Sequence, residues 1–373
     1  MTEPGPMSRE IRVLKGSVLQ YRLYDVAWEI DLAAVQDKVM ESKRLFLKKK
    51  LSSRAFEFAN PPVSLALKGF ERPLGGAQRN INAYAKIYDY GVLSVMLEIP
   101  VDGASMAEVE DLARLLRDEE PLEEAFRGER DRLVEFFRET MTAVNVSRFM
   151  EDYTVYNVRL TEPELAADDF LSSYPAERLL LYESGESRPG KLVVKELLQN
   201  RFSYSDHDLV LINWDNALVL EPTESLDIPD LLEFANAQLL ELRVYDDILD
   251  RELDNIHERL SSRSAPSIWK IKGYEELAAK VMRTITELTE ITEKVDNSLK
   301  VTDDVYYARV YTSALRLFRV KQWEESIRKK IDIASRVYDM IHRDIANKRT
   351  ELLEFIIVVL IAVEIVLFFF LSF

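Results

Sequence analysis

Between Ile228 and Leu260 the chain reads IPDLLEFANAQLLELRVYDDILDRELDNIHERL. Apolar side chains recur here in steps of three, four and seven residues, the spacing of one face of an α-helix. This helical seam consists of Leu232, Ala235, Leu239, Leu242, Leu249, Leu253, Ile256 and Leu260. Asp246 stands at a seam position, so it either fixes the register of a paired helix or marks a kink or an exposed turn. The stretch separates a first part that mixes strands and helices from a second part that is helical.

Three more helices are predicted after this stretch. A second seam runs from Tyr274 to Leu299, and Thr302–Asp304 can cap a third helix. From about Lys321 apolar residues recur in threes and fours without Pro or Gly, which predicts one helix of about fifty residues. These helices form either a bundle within one chain or a coiled coil between chains, because the seams are compatible with both.

The chain ends in an apolar run. Phe355 to Phe373 reads FIIVVLIAVEIVLFFFLSF and contains one charged residue, Glu364. At about 1.5 Å per residue the run spans roughly 28 Å, the thickness of a bilayer core. It predicts a single membrane-spanning helix, with the anchor residues Phe355, Glu364, Phe368 and Phe373, in a tail-anchored protein whose bulk is cytoplasmic. Glu364 then either contacts another helix of an oligomer or is accommodated as a protonated or locally hydrated carboxyl.

The first 225 residues alternate strand-like and helix-like runs. The predicted strands are Val18–Trp28, a hairpin within Tyr84–Val101, Tyr153–Leu160, Leu192–Val194, Leu209–Asn213 and Ala217–Leu220; the predicted helices are Asp31–Leu51 and two within Ala104–Val146. We expect a mixed sheet with helices on one face. The predicted fold class is therefore α+β: a mixed-sheet domain (1–225), long α-helices (226–350) and a transmembrane anchor (351–373).

Composition excludes several classes of protein. A net charge of −16 argues against general DNA binding, and zero Cys with three His leave little for metal sites. Phosphate-loop motifs are absent, and Gly75–Gly76 predicts a turn. Ser203, Asp206, His207 and Asp208 could form a base with its orienting group, but a turn between strands favours the same residues. No catalytic residue, metal or cofactor is assigned, and the sequence favours a protein without enzymatic activity.

One basic stretch stands out against the acidic background. It comprises Lys43, Arg44, Lys48, Lys49, Lys50 and Arg54, with Phe46 and Phe56 beside it. Clustered cations with interleaved aromatic rings can bind RNA or anionic headgroups. The alternative is a solvated helix face that offsets the acidic helices that follow it.

Two stretches resemble a known family. The stretch Asp230–Leu253 and the tail Arg349–Leu367 are similar to the Rmd/YagE family, whose mitochondrial members are called "required for meiotic nuclear division". Within the first stretch the best match is formed by Asn236, Gln238, Leu239, Leu240, Glu241, Leu242 and Arg243. Tyr88, Tyr90, Gly91 and Val92 are similar to a strand of that family. The resemblance implies an α+β domain, helices and a C-terminal anchor, no established enzymatic activity, and homo-oligomers that support organellar translation. Because no transit peptide is evident, we expect a prokaryotic member in the plasma membrane.

Two functions follow as expectations. The first is a non-enzymatic, tail-anchored scaffold that associates with copies of itself and docks a cytosolic protein at the lipid bilayer. The alternative is a membrane-tethered protein that binds RNA or the ribosome through Lys43–Arg54.

Overall fold

The structure, a computed structural model, describes residues 10–41, 47–48, 56–58, 60–182, 189–223, 225–261, 299–301 and 304–371, together with residues 279, 282, 286 and 289. The chain divides into two compact units. The first unit lies within residues 1–244 and 294–321, and the second within 245–293 and 322–373.

The elements mix short and long strands with helices. The strands are β1 (Arg12–Asp25), β2 (Glu29–Ile30), β3 (Leu47–Lys48), β4 (Phe56–Phe58), β5 (Val63–Ala66), β6 (Phe70–Leu74), β7 (Ala77–Ile87), β8 (Val92–Pro100), β9 (Met141–Thr142), β10 (Met150–Glu162), β11 (Arg201–Phe202), β12 (Leu209–Ile212), β13 (Asn216–Leu220) and β14 (Leu299–Val301). The helices are α1 (Leu32–Glu41), α2 (Met106–Asp118), α3 (Glu123–Phe137), α4 (Ala167–Ser173), α5 (Glu177–Leu180), α6 (Lys191–Leu198), α7 (Asp227–Ser261), α8 (Val305–Leu317) and α9 (Val320–Leu371), with a 3₁₀ turn at Arg138–Thr140.

Ten of the described strands form one sheet in the first unit. Its order is β11-β12-β13-β10-β1-β8-β7-β5-β3, and β6 pairs with β7 off this path. The neighbours are antiparallel except β10 and β13, which run parallel. The sheet is therefore mixed, as the sequence predicts, and β1 pairs along most of its length with both β8 and β10.

Helices cover both faces of this sheet, so the prediction of helices on one face was wrong. Alternate side chains such as Val18, Val95 and Tyr156 point into a core that also holds buried residues of α1–α6. On the other face, the Tyr153 ring contacts Phe318, which follows α8, at 5.4 Å, and Lys86 contacts α7. The physical reason is visible in β1, where every residue from Gly16 to Tyr24 is buried, as expected for a strand covered on both sides.

The second unit contains the C-terminal part of α7 and most of α9. Asp246, at the seam of α7, accepts hydrogen bonds from Ser326 Oγ (2.7 Å) and pairs with Lys330 Nζ (2.8 Å). Lys330 also pairs with Asp250 at 2.6 Å. Burial alone would lower the pKa of Lys330, but hydrogen bonds and charges from the two aspartates outweigh burial and raise the pKa. Asp246 therefore fixes how the two helices align within one chain.

The membrane-anchor prediction was wrong. Among the described residues, no helix combines the length and the apolar character needed to span a membrane. The long helix predicted from about Lys321 is present as α9, of 52 residues, but the part before Phe355 is rich in charged residues and Glu364 interrupts the apolar end. Three predictions were therefore wrong: the transmembrane helix in the fold class, the tail-anchored topology, and the single-pass location in a plasma membrane.

Local predictions differ in outcome. The hairpin within Tyr84–Val101 is confirmed as β7 and β8, and the strand pair at Leu209–Asn213 and Ala217–Leu220 as β12 and β13. Leu192–Val194, predicted as a strand, lies in α6, because the run continues into Lys195–Leu198, residues of high helix propensity. Asp31–Leu51 was predicted as one helix, but α1 ends at Glu41 and Leu47–Lys48 is a strand. The second seam, Tyr274–Leu299, lies largely outside the described residues.

Candidate functional site

A group of buried charges lies where α7 crosses the sheet of the first unit. We call Lys86, Asp230 and Glu233 the charged cluster. Lys86 Nζ lies 2.8 Å from Asp230 Oδ1 and 2.6 Å from Glu233 Oε2. The side chains are 12%, 11% and 3% exposed, so all three charges are removed from most of the solvent.

Strand and helix periodicity place these three side chains together. Ala85 and Ile87 of β7 point into the core shared with α1–α6, so Lys86 between them points to the opposite face. Asp230 and Glu233 are three residues apart on α7, which puts both carboxylates on the helix face that packs on the sheet.

The charges in the cluster do not balance. One ammonium faces two carboxylates, so the fully ionised cluster carries one net negative charge. Burial alone would lower the pKa of Lys86, but Asp230 and Glu233 outweigh burial and raise the pKa of the ammonium. Burial raises the pKa of Glu233, although Lys86 opposes the shift. Lys86 therefore stays protonated, and Glu233 holds a proton more readily than an exposed glutamate does.

The pKa values of two tyrosines next to the cluster are raised by burial and by the charge of Glu233. Burial, followed by the charge of Glu233, raises the pKa of Tyr21 and of Tyr88 well above the ordinary value. The Tyr88 ring also contacts Phe234 of α7 at 6.2 Å. These phenols stay neutral and belong to the apolar packing around the cluster.

A small cavity adjoins the charged cluster. Its volume is about 20 Å³, and Ser64, Tyr84 and Met96 line it together with the three charged residues. A space of this size holds one water molecule and excludes an organic substrate. The arrangement therefore joins α7 to the sheet by buried ion pairs and does not form a substrate pocket.

Sequence analysis missed the charged cluster. The sequence contains two signals of it. Lys86 lies inside the strand stretch YAKIYDY, and Asp230 and Glu233 lie in a helix whose apolar seam predicts only packing contacts. Neither signal identifies its partner, because the two stretches are about 145 residues apart along the chain.

The residues that carry the family resemblance are packing contacts of α7. Asn236 Nδ2 donates to the Leu232 carbonyl at 2.8 Å, and Tyr311 of α8 donates to Gln238 Oε1. Leu239 and Leu240 are buried apolar residues. Glu241 is 1% exposed, and its charge adds to burial in raising the pKa of Tyr90.

Arg243 makes a second, half-buried ion pair between α7 and the sheet. Its guanidinium pairs with Glu151 of β10 and lies 5.2 Å from the Phe149 ring centroid. Burial raises the pKa of Glu151 to about 7, although Arg243 opposes the shift. Arg243 and the charged cluster thus tie one helix to two strands of the same sheet.

The Ser203–Asp208 segment forms a turn. Ser203 Oγ donates to the carbonyls of Ser205 (2.6 Å) and Asp208 (2.5 Å), and the Tyr204 amide donates to Asp208 Oδ2 at 2.8 Å. His207 is exposed, and its backbone amide donates to Ser205 Oγ. These contacts are those of a turn, and they do not bring a serine and the imidazole together as nucleophile and base.

The predicted basic site lies almost entirely outside the described residues. Of its residues only Lys48, in β3, belongs to the described chain; Lys43, Arg44, Lys49, Lys50 and Arg54 lie outside it. RNA or ribosome binding through this stretch stays a prediction.

Of the residues predicted as a membrane anchor, three lie in the last turns of α9. Phe355 and Glu364 are exposed, and Phe368 is part of the helix, whereas Phe373 lies outside the described residues.

No group of three or more His, Asp or Glu side chains in the described ranges is placed to hold a metal ion.

Comparisons with known proteins place the first unit in a family. The family model described as "Uncharacterized protein MJ0711, N-terminal domain" matches residues 15–227. An uncharacterized protein of this name from Methanocaldococcus jannaschii is 27% identical over 228 residues, which cover 60% of this chain and 67% of that protein. No solved structure matches, and neither match names the Rmd/YagE family. Because the family model spans more than half of the 373 residues, the chain belongs to the MJ0711 N-terminal domain family.

Proposed function

We propose that this protein is a non-enzymatic scaffold that associates with copies of itself through the apolar end of α9. The observation that carries the proposal is the exposure of this end. Phe355, Val358 and Leu360 are 64%, 63% and 62% exposed, and the large apolar residues around them are exposed as well. An exposed apolar surface of this kind marks an interaction site.

The seam of α9 argues for a second copy as the occupant. Ile327, Ala334 and Ile341, seven residues apart, are buried within the chain. The steps of three and four continue through Leu352, Phe355, Val359 and Ala362. Phe355, Val359 and Ala362 are exposed, so the same seam continues past the part that the chain covers itself. The final turns of this seam are exposed, and a parallel copy of the same helix can bury them by packing its own seam against them.

The free energy gained by burying this apolar end is comparable with the free-energy cost of association. Burying a large aliphatic or aromatic side chain contributes about 1.5–3 kcal/mol. Several such residues on each copy offset an association cost of about 4–15 kcal/mol. The Asp246–Lys330 pair aligns α7 with α9 inside each chain near the start of α9. The exposed end of α9 lies more than twenty residues further along and is available for contact with another copy.

We also propose a relation to the Rmd/YagE family. It rests on Asp230–Leu253 and Arg349–Leu367, which lie beyond the matched residues 15–227. Homo-oligomers, which that resemblance implies, agree with self-association through α9.

The mass of the full-length chain in solution, measured by light scattering from low to high micromolar concentration, tests the proposal. We expect a defined oligomer for the unaltered chain. Phe355→Glu combined with Val359→Glu places charges on the seam and shifts the mass to the monomer. Leu14→Glu with Val146→Glu, at two exposed apolar positions of the first unit, is the matched control and leaves the oligomer intact.

Two results would contradict self-association through α9. One is a monomer of unaltered chain at every concentration. The other is an oligomer that persists in the Phe355→Glu, Val359→Glu variant, because the contact would then lie elsewhere.

A further inference from the structure

An open groove lies in the first unit between α8 and the segment that follows α6. Its volume is about 550 Å³. Volumes of about 300–1,000 Å³ are typical of small-molecule sites. The groove is thus large enough for an organic ligand, in contrast to the cavity at the charged cluster.

One side of the groove is a single face of α8. Val305, Arg309, Thr312 and Arg316 follow one another in steps of four, three and four residues, and Ala308 lies three residues after Val305 and four before Thr312, so their side chains share that face. Phe202 and Gln199 form the opposite side. The lining thus combines an apolar part, formed by Phe202, Val305 and Ala308, with two guanidinium groups.

Arg316 is held in place by buried partners. Its Nη2 donates to Asn200 Oδ1 at 2.6 Å, and Ser313 Oγ donates to the same oxygen at 3.2 Å. Asn200 and Ser313 are each 7% exposed. A cation whose position is fixed by neutral groups keeps its full charge for a ligand and loses little side-chain freedom on binding.

Neither arginine of the groove is neutralised within the described chain. Many arginines of this acidic protein pair with carboxylates, as Arg114, Arg127 and Arg251 do. No ion pair of Arg309 or Arg316 with a carboxylate is seen between described residues, and none of the described residues that line the groove carries a carboxylate. Two unneutralised guanidinium groups beside an apolar wall provide charge complementarity for an anion.

We propose that this groove binds a small organic anion, a carboxylate or a phosphate ester with an apolar body. The anionic group lies between Arg309 and Arg316, and the apolar body packs against Phe202 and Ala308. This inference goes beyond the proposed scaffold and does not depend on self-association.

Isothermal titration of the full-length chain with three probes tests the proposal. Phenyl phosphate and benzoate carry the two anionic groups on the same ring, and benzylamine carries a positive charge on that ring. We expect saturable binding of at least one anion with one site per chain and no binding of benzylamine. The stronger of the two anions identifies the head group for which the groove is built.

Variants assign the binding to the groove. Arg309 is exposed, so Arg309→Gln removes one charge without disturbing the core, and we expect roughly tenfold weaker binding, or about 1.4 kcal/mol. Arg336→Gln, at an exposed arginine of α9, removes the same charge elsewhere and leaves binding unchanged. Lack of saturable binding of both anions, equal binding of benzylamine, or equal weakening by the two variants would overturn the proposal.

Discussion

Lys86 joins α7 to the sheet through two buried carboxylates. It faces two carboxylates at 2.8 and 2.6 Å in a place that is largely closed to solvent. Breaking a buried ion pair by removing one partner is costly, because the remaining charge keeps its desolvation penalty and loses its compensation. Here the loss of one ammonium leaves two such charges.

We therefore expect Lys86→Met to lower the free energy of unfolding by about 3–5 kcal/mol. Urea unfolding at neutral pH measures the change. Lys68→Met, at an exposed lysine between β5 and β6, is the matched control and changes stability by less than about 0.5 kcal/mol. A loss of the same small size in both variants would show that Lys86 does not compensate the buried carboxylates.

Arg243 gives a prediction that depends on pH. The pKa of Glu151 is raised to about 7, so the folded state holds a proton that the unfolded state releases near pH 4. Stability linked to this group is therefore present at low pH and falls as the pH rises through about 7. Arg243→Gln removes the charge that opposes the shift, so the pKa of Glu151 rises further.

The stability lost in Arg243→Gln should thus be roughly 1–2 kcal/mol larger at pH 8 than at pH 5, since one pKa unit corresponds to about 1.4 kcal/mol. Urea unfolding at the two pH values measures the difference. An equal loss at both values would mean that Arg243 acts through packing on Phe149 alone.

At the scale of elements, the β7–β8 hairpin shows how a turn residue sets the position of a strand. Gly91 has a φ of +96°, and its amide donates to the Tyr88 carbonyl at 3.3 Å. A Cβ at this position would lie 1.8 Å from the carbonyl oxygen of Ala27. The turn can approach the end of β1 this closely only with glycine.

Gly91→Ala should therefore cost more than about 4 kcal/mol, in the range that indicates a severe local conflict. Gly103→Ala is the control, because Gly103 also has a positive φ (+80°) but has open space around it. It should cost only the conformational strain, about 1–2 kcal/mol. Thermal unfolding of the two variants separates steric overlap from strain, and equal losses would contradict the close approach.

The elements that sequence patterns predict well are those with local signals. The hairpin around Gly91, the strand pair β12–β13 and the long α9 follow from turn residues and from apolar spacing. The second covered face of the sheet and the charged cluster do not, because both depend on α7 packing on residues far away in the sequence. Lys86, Asp230 and Glu233 are typical surface residues by type, and only their joint burial gives them a structural role.

At the scale of the whole molecule, the candidate sites belong to different units. The first unit carries the charged cluster and the groove at Arg309 and Arg316, and its family model ends at residue 227. The second unit carries the Asp246–Lys330 pair and the apolar end of α9. Ligand binding and self-association can therefore be altered separately by substitutions in one unit.

Cysteine crosslinking tests self-association through the seam of α9 most directly. The chain contains zero Cys, so a single introduced cysteine can form a disulfide only with another copy. Val359 is a seam position, whereas Glu364, two residues after the seam position Ala362, lies on the opposite side of the helix. Under mild oxidation we expect Val359→Cys to give a crosslinked dimer and Glu364→Cys to remain mainly uncrosslinked. Absence of the dimer at Val359, or equal crosslinking at both positions, would contradict association through this seam.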